Sequence, residues 1–161
     1  MKSIIIYATK YGSVEKAAQM LKGKMEGQVL LVNVIKEKVP SLDQYDNVIL
    51  GGSIYIGKIQ KQLTGYIKEN LPLLLKKKVG LFVCAGAEET EAQSQMLTAA
   101  FPPELLNQAV AKAVVGYEFH YEKLNFFDKL IMKMVKGITE SCSKLSEENI
   151  QNFAKAMSGN N

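Results

Sequence analysis

Residues 2–25 read KSIIIYATKYGSVEKAAQMLKGKM and join an apolar run to an amphipathic run through a short polar loop. The run from Lys2 to Ala8 is rich in isoleucine, which is typical of a strand buried on both faces of a sheet. From Ser13 to Met25 the apolar side chains recur with the spacing of one helix face. This order of strand, loop and helix predicts the opening unit of a parallel α/β sheet.

The same alternation continues along the rest of the chain. Further strands are predicted at Gln28–Ile35, Asn47–Ile54, Val79–Ala85 and Ala109–Phe119. Further helices are predicted at Ile59–Asn70 (with Pro72–Lys78 as its extension or as a short second helix), Glu91–Phe101, Leu124–Lys136 and Ser146–Met157. The pattern predicts one α/β domain over residues 1–161, a doubly wound three-layer sandwich around a five-stranded parallel sheet. Right-handed crossovers leave few strand orders, of which 2-1-3-4-5 is the leading one.

The predicted strand order also predicts where a ligand binds. The chain changes direction between strands 1 and 3, and ligands of open α/β sheets bind at the carboxyl ends of the strands at such a point. The loops that follow Ala8 and Ser53 should therefore share one ligand.

The sequence does not identify a catalytic residue. No metal site is expected, because two cysteines and one histidine disfavour a zinc site.

The loop Thr9–Val14 has features of an anion-binding turn. It leads directly into a helix, whose first N–H groups and dipole favour a phosphate. Gly12 permits a tight turn, and Thr9 and Ser13 add hydroxyl groups. The loop matches neither G-x-G-x-x-G nor G-x-x-x-x-G-K-[ST], which disfavours a dinucleotide or a nucleoside triphosphate. The simpler alternative is a strand-to-helix turn that Ser13 caps.

The charge and the basic residues of the chain indicate which classes of binding partner are favoured. The formal net charge is +4, and all twenty basic residues are lysines. The absence of arginine disfavours sequence-specific nucleic-acid binding, because bidentate arginine is the commonest base-reading side chain. A positive balance favours anionic partners or an anionic membrane surface, with a solvated lysine surface as the alternative. No apolar stretch approaches the ~20 residues that span a bilayer. A cytoplasmic protein is therefore expected, and peripheral contact with the inner face of the membrane is an alternative.

The same loop resembles the phosphate-binding loop of the flavodoxin superfamily. That loop has a hydroxyl residue, any residue, a second hydroxyl residue, glycine, a small polar residue and then threonine. Thr9, Lys10, Tyr11, Gly12 and Ser13 take the first five places, and Val14 stands where threonine is expected. The resemblance implies a flavodoxin-like fold with non-covalently bound FMN, whose phosphate these six residues hold.

Two further loops resemble the flavin loops of that superfamily. By this resemblance, Ser53, Ile54, Tyr55, Ile56 and Gly57 contact the flavin, with Tyr55 or Ile54 against the inner face of its ring. The third loop would border the pyrimidine edge of the flavin with its backbone; its residues are Cys84, Ala85, Gly86 and Ala87. It contains acids but no aromatic residue before Phe101, which leaves one flavin face open to a substrate. Cys84 is interpreted as a small core residue rather than a redox thiol.

The C-terminal third resembles the flavodoxin-type, menaquinone-dependent protoporphyrinogen oxidase family. The resemblance lies in the run Asn125-Phe126-Phe127-Asp128-Lys129-Leu130-Ile131-Met132-Lys133-Met134 and the later Asn152-Phe153-Ala154. It implies that FMN takes electrons from a small organic donor and passes them to a quinone. The alternatives are a flavodoxin that carries electrons between redox proteins and a non-redox module with the same fold. The oligomeric state is not predicted.

The helix predicted at Leu124–Lys136 exceeds what the sheet needs. Its apolar positions fall on one side, at Phe127, Leu130, Ile131, Met134 and Val135. This side could pack on the domain, border the substrate site or touch a membrane. The flanking lysines suit an anionic interface.

Overall fold

The computed structural model describes residues 1–136 and 141–159 and contains a five-stranded parallel sheet in the order β2-β1-β3-β4-β5. The sheet strands are β1 (Lys2–Tyr7), β2 (Gln28–Asn33), β3 (Asn47–Ser53), β4 (Lys78–Cys84) and β5 (Ala111–Val114). The helices are α1 (Ser13–Lys24), α2 (Lys61–Leu74), α3 (Thr90–Ala100), α4 (Pro103–Gln108), α5 (Phe126–Lys136) and α6 (Glu147–Ser158). The predicted fold class and strand order are confirmed.

Helices cover both faces of the sheet, and the isoleucine run of β1 shows why. Ile4 and Ile6 lie in a core shared with α2 and α4, whereas Ile5 and Tyr7 lie in a second core shared with α1 and α6. Successive strand side chains point to opposite faces, so an uninterrupted apolar strand serves both cores at once. Each fully buried isoleucine contributes about 1.5–3 kcal/mol relative to an exposed one.

The prediction of one strand over Ala109–Phe119 is wrong. After β5, Gly116 turns the chain away from the sheet with φ +83°, and β6 (Gly116–Phe119) pairs antiparallel with β7 (Cys142–Leu145). A β-carbon at Gly116 would lie 2.0 Å from the Lys144 carbonyl oxygen, so the close approach of β7 to this position requires glycine. The resulting two-stranded sheet projects above the carboxyl ends of the main strands.

Smaller differences lie at the helices. Helix α2 begins at Lys61 rather than Ile59 and continues through Pro72, so the extension rather than a second helix is present. Helix α4 was not predicted; it is a six-residue helix that Pro102 and Pro103 begin. Helix α5 begins at Phe126 rather than at Leu124. The Val135 side chain, which was predicted to lie on the apolar side of this helix, is outside what the structure describes.

Within the described ranges, no helix is long and apolar enough to cross a membrane.

Candidate functional site

A cavity of about 370 Å³ opens at the carboxyl ends of β1, β3 and β4. This is the point where the strand order reverses, and the volume lies in the range of small-molecule sites. Its lining includes ten of the predicted residues: Thr9, Lys10, Tyr11, Ser13, Ser53, Ile54, Tyr55, Cys84, Ala85 and Gly86. It also includes six residues that sequence reasoning did not assign to it: Tyr117, Glu118, Phe119, Leu124, Asp128 and Met132.

The first loop presents polar groups at the start of α1. The Gly12 N–H donates to Thr9 Oγ1 at 2.9 Å, and Gly12 has φ +90°. The N–H groups of the first turn, from Ser13 to Glu15, have no helical carbonyl four residues before them, so they remain available to an anion. Ser13 Oγ accepts a hydrogen bond from the Glu118 N–H at 3.1 Å, which ties β6 to this loop.

Val14 and Gly12 contribute to the loop without lining the cavity. The Val14 side chain is fully buried in the core shared with α1 and α6. It therefore cannot contact a phosphate where the superfamily pattern has threonine, and only its backbone N–H faces the loop's polar end.

The second loop is a hairpin turn that Gln60 clamps to the end of β3. The Ser53 N–H donates to Gln60 Oε1 at 3.2 Å, and Gln60 Nε2 donates to Ser53 Oγ at 2.6 Å. Ile56 and Gly57 form the tip with φ of +49° and +74°, the sign pattern of a type I′ turn. Neither residue lines the cavity, and Ile56 is 68% exposed. A β-branched residue at positive φ is strained, so Ile56 carries a local cost of about 1 kcal/mol or more.

The third loop lies against an aromatic ring that the sequence did not place there. A β-carbon at Gly86 would lie 2.7 Å from Tyr117 Cε1, and the Tyr117 ring stacks on Phe119 at 5.9 Å. The third loop itself has no aromatic residue before Phe101, but β6 brings the Tyr117 ring against it. Ala87 lies outside the cavity lining, and its carbonyl accepts a hydrogen bond from Gln93 Nε2 at 2.8 Å.

Cys84 ends β4 with its thiol inside the core. Burial raises the pKa of this thiol to about 12. A thiolate is the reactive form of cysteine, so at neutral pH this side chain is a packing residue.

Asp128 on α5 is the centre of a polar cluster inside the cavity. Of the charged side chains that the structure describes, Asp128 is the buried one, with 2% exposure. It accepts hydrogen bonds from the Tyr11 and Tyr55 hydroxyls, and Lys10 Nζ lies 2.8 Å from Oδ2. The Lys10 ammonium also lies 4.2 Å from the centroid of the Tyr55 ring, within cation–π range.

These contacts keep Asp128 ionised. Burial alone would raise the pKa of its carboxyl group, but hydrogen bonds from Lys10, Tyr11 and Tyr55 outweigh burial, so the pKa lies below its ordinary value. The pKa of Tyr55 is raised by its hydrogen bond to Asp128, and the pKa of Tyr11 is raised by burial and by the same carboxylate. Because the folded pKa of Asp128 is depressed, its contribution to stability is present above the ordinary pKa and is lost as pH falls through the lowered one.

The chain is similar to curated proteins in sequence and to solved structures in fold. Over 96% of its length the chain is 24% identical to the protoporphyrinogen IX dehydrogenase [quinone] of Escherichia coli K12, of which 93% is covered. Flavodoxin 2 from Bacillus cereus superposes with a TM-score of 0.57, at 20% identity, over 99% of each chain. A short-chain flavodoxin associated with a bacterial microcompartment gives 0.62, at 13% identity, over 99% of this chain and 97% of that one. The two structural similarities establish the fold.

A family model described as a flavodoxin domain matches residues 4–146. That span includes all three loops of the cavity and the Asp128 cluster. With the relative above, it supports a redox function of the FMN type, as an oxidoreductase or an electron carrier. The chain therefore belongs to the flavodoxin domain family, and this membership indicates FMN as its cofactor.

Proposed function

We propose that this protein is an FMN-dependent oxidoreductase that passes electrons from a small organic donor through FMN to a quinone-type acceptor. The observation that carries the proposal is the cavity at the carboxyl ends of β1, β3 and β4, into which α5 and β6 project their own side chains. The walls from β6 and α5 extend the site beyond the three loops, so their side chains can select which reacting molecule approaches a bound flavin.

The residues of the cavity fit FMN. The N–H groups at the start of α1 and the hydroxyls of Thr9 and Ser13 are suitable donors to a phosphate. Tyr55 and Tyr117 provide apolar, polar-tipped rings on separate walls, a chemistry suited to a planar tricyclic ring. When bound, FMN supplies the redox chemistry, and the protein orients the reactants and excludes water.

The cavity lining carries one cation, Lys10, and two carboxylates, Asp128 and Glu118, of which Glu118 is paired with Lys16 at 2.6 Å. Lys10 is 41% exposed and places its ammonium at the cavity, where it favours negative charge on a bound molecule. The carboxylate of Asp128 partly offsets this charge at 2.8 Å. Lysine acts as a point charge rather than a bidentate fork, so a carboxylate-bearing donor would be attracted without being held in one fixed orientation.

The first donor to test is protoporphyrinogen IX, the substrate in the name of the Escherichia coli relative. Anaerobic addition of this donor to the FMN-loaded protein should bleach the visible flavin absorption, and a soluble menaquinone analogue should then restore it. We expect turnover on the order of 1 s⁻¹ or faster, in the range of ordinary enzymes. Free FMN at the same concentration is the control.

Two results would change the proposal. A rate no faster than that of free FMN would exclude this donor. Rapid reduction by a flavodoxin reductase, followed by rapid transfer to a protein acceptor and none to the quinone, would instead assign the protein as an electron carrier.

We further propose that α5 contacts an anionic membrane surface, where apolar quinones partition. Four large apolar side chains of α5 are exposed: Phe126 by 83%, Phe127 by 63%, Leu130 by 42% and Met134 by 75%. Positions 126, 130 and 134 recur every four residues, so they share one side of the helix. Lys129 and Lys133 lie beside this apolar face and complement anionic headgroups.

Vesicle co-sedimentation tests this contact. The protein should bind vesicles containing phosphatidylglycerol, and the double change Phe126→Ser and Phe127→Ser should weaken binding about tenfold or more, because two phenyl groups lose burial. The matched control is Leu30→Ser with Ile35→Ser, which removes two apolar side chains of 41% exposure elsewhere on the surface. Equal losses in both double variants, or no binding by the wild type, would contradict the proposal.

A further inference from the structure

The tip of the hairpin after β3 exposes an apolar residue in an unfavourable backbone conformation. Of the non-glycine residues that the structure describes, Ile56 alone has a positive φ, at +49°, and its side chain is 68% exposed. Such a turn favours asparagine followed by glycine, whereas this chain has isoleucine followed by glycine. Neither burial nor turn geometry therefore accounts for Ile56, and strained residues of this kind concentrate where a protein has a function.

Two hydrogen bonds close the hairpin and fix the position of its tip. The Tyr55 N–H donates to the Lys58 carbonyl oxygen at 2.8 Å, and the Lys58 N–H donates to the Tyr55 carbonyl oxygen at 3.2 Å. Gln60 ties the base of the hairpin to Ser53. The domain thus presents Ile56 at its surface on a closed turn.

Lysines surround this tip. A depression of about 350 Å³ beside it is lined by Lys10, Lys58 and Lys61, and no acidic residue of the described chain lines it. Lys10 is paired with Asp128, whereas Lys58 and Lys61 form no ion pair with any carboxylate that the structure describes. An exposed apolar side chain among cations complements a surface that is anionic outside and apolar inside, which is what a bilayer with anionic lipids offers.

The hairpin and α5 meet at the cavity. The Tyr55 hydroxyl donates to Asp128 of α5, and both residues line the cavity. Ile56 follows Tyr55 in the chain, and Phe127, which is 63% exposed, precedes Asp128. The exposed apolar residues of the two segments therefore flank the same polar cluster.

We propose that the hairpin tip at Ile56 is a second membrane-inserting element, which together with the exposed face of α5 seats the cavity against an anionic bilayer. The inference rests on the proposed contact of α5 with the membrane and extends it to a loop that borders the cavity. Ile56 enters the interfacial region, and Lys58 and Lys61 contact the headgroups. A quinone dissolved in the bilayer then reaches the cavity without crossing bulk water, and α5 stays in place as a wall of the site.

Ile56→Asn separates this role from a structural one, because it changes stability and membrane binding in opposite directions. Asparagine before glycine is favoured in this turn, so the variant should have a higher urea midpoint than the wild type. Its binding to phosphatidylglycerol vesicles, measured by co-sedimentation of the full chain with FMN present, should nevertheless weaken about tenfold, because an apolar side chain loses burial.

Val110→Asn is the matched control. It removes a β-branched side chain of 46% exposure just before β5, at the end of the parallel sheet opposite the cavity. This variant should bind vesicles like the wild type. Lys58→Gln with Lys61→Gln should weaken binding about tenfold or more, since each lysine near an anionic surface contributes about fivefold.

Ile56→Trp tests insertion directly, because the chain contains no other tryptophan. The emission of this variant should shift to the blue when phosphatidylglycerol vesicles are added, and lipids brominated in their acyl chains should quench it. The emission of Val110→Trp should show neither effect.

Wild-type vesicle affinity in Ile56→Asn would overturn the inference, as would an equal loss in Val110→Asn or the absence of quenching in Ile56→Trp. If Phe126→Ser with Phe127→Ser loses binding and Ile56→Asn does not, the hairpin contact fails and the α5 contact stands. If the wild type binds no vesicles, both membrane contacts fail, and the redox function is decided separately by the reaction with the electron donor.

Discussion

Replacing Gly86 with valine is expected to weaken FMN binding about 100-fold, or about 3 kcal/mol. Any β-carbon at this position would lie 2.7 Å from Tyr117 Cε1. The Tyr117 ring stacks on Phe119 and its strand is paired with β7. Relief of the clash therefore requires either a turn of the Tyr117 ring or a shift of the third loop, and both change the wall of the cavity. Flavin fluorescence quenching on titration of the purified variant would measure the loss.

The control for this substitution is Gly65→Ala, in the middle of α2, where no atom lies within 4 Å of the added β-carbon. It should bind FMN like the wild type. A Gly86→Val variant that keeps wild-type affinity, with far-UV circular dichroism also unchanged, would show that the third loop does not border the cofactor.

Gly51→Ala is expected to lower the free energy of unfolding by about 3 kcal/mol, the upper range for overpacking a core. A β-carbon at Gly51 would lie 2.1 Å from Phe82 Cζ. Phe82 is 2% exposed and meets the Phe153 ring of α6 edge-on at 6.0 Å, so it has no space to retreat. Urea unfolding followed by circular dichroism would measure the change.

The same Gly65→Ala variant is the matched control for Gly51→Ala, and its effect should have the opposite sign. Alanine in an open helix position gains about 0.5–1 kcal/mol over glycine. If both variants change stability by the same amount and in the same direction, the packing of Phe82 over β3 is not as described.

The arrangement of the main sheet could be predicted because local sequence determines it. Runs such as Ile4–Ile6 are apolar on both strand faces, and the helices between them carry one apolar side. The path after β5 could not be predicted in this way. The run Ala109–Phe119 has the composition of one strand, and only Gly116 marks the point where the chain leaves the main sheet. Its partner strand β7 is four residues long and half polar, with no periodic signal of its own.

The candidate site was predictable to the extent that it lies on the three loops. The position of Tyr117 depends on the exit at Gly116, so no local pattern could place it at Gly86. Asp128 lies in the first turn of α5, where the helix dipole alone would explain an acid. Its contacts with Tyr11 and Tyr55 span 117 and 73 residues of sequence. Such pairs become visible only when the chain is folded.

Paired titrations test whether one FMN binds in the cavity with its phosphate at the start of α1. FMN and riboflavin would be added separately to the cofactor-free protein, with flavin fluorescence and heat recorded. We expect saturable binding of one FMN per chain and at least about tenfold weaker binding of riboflavin, which lacks the phosphate that the α1 N–H groups would bind. Equal affinity for both flavins would contradict the phosphate site, and no saturable FMN binding would contradict the claim as a whole.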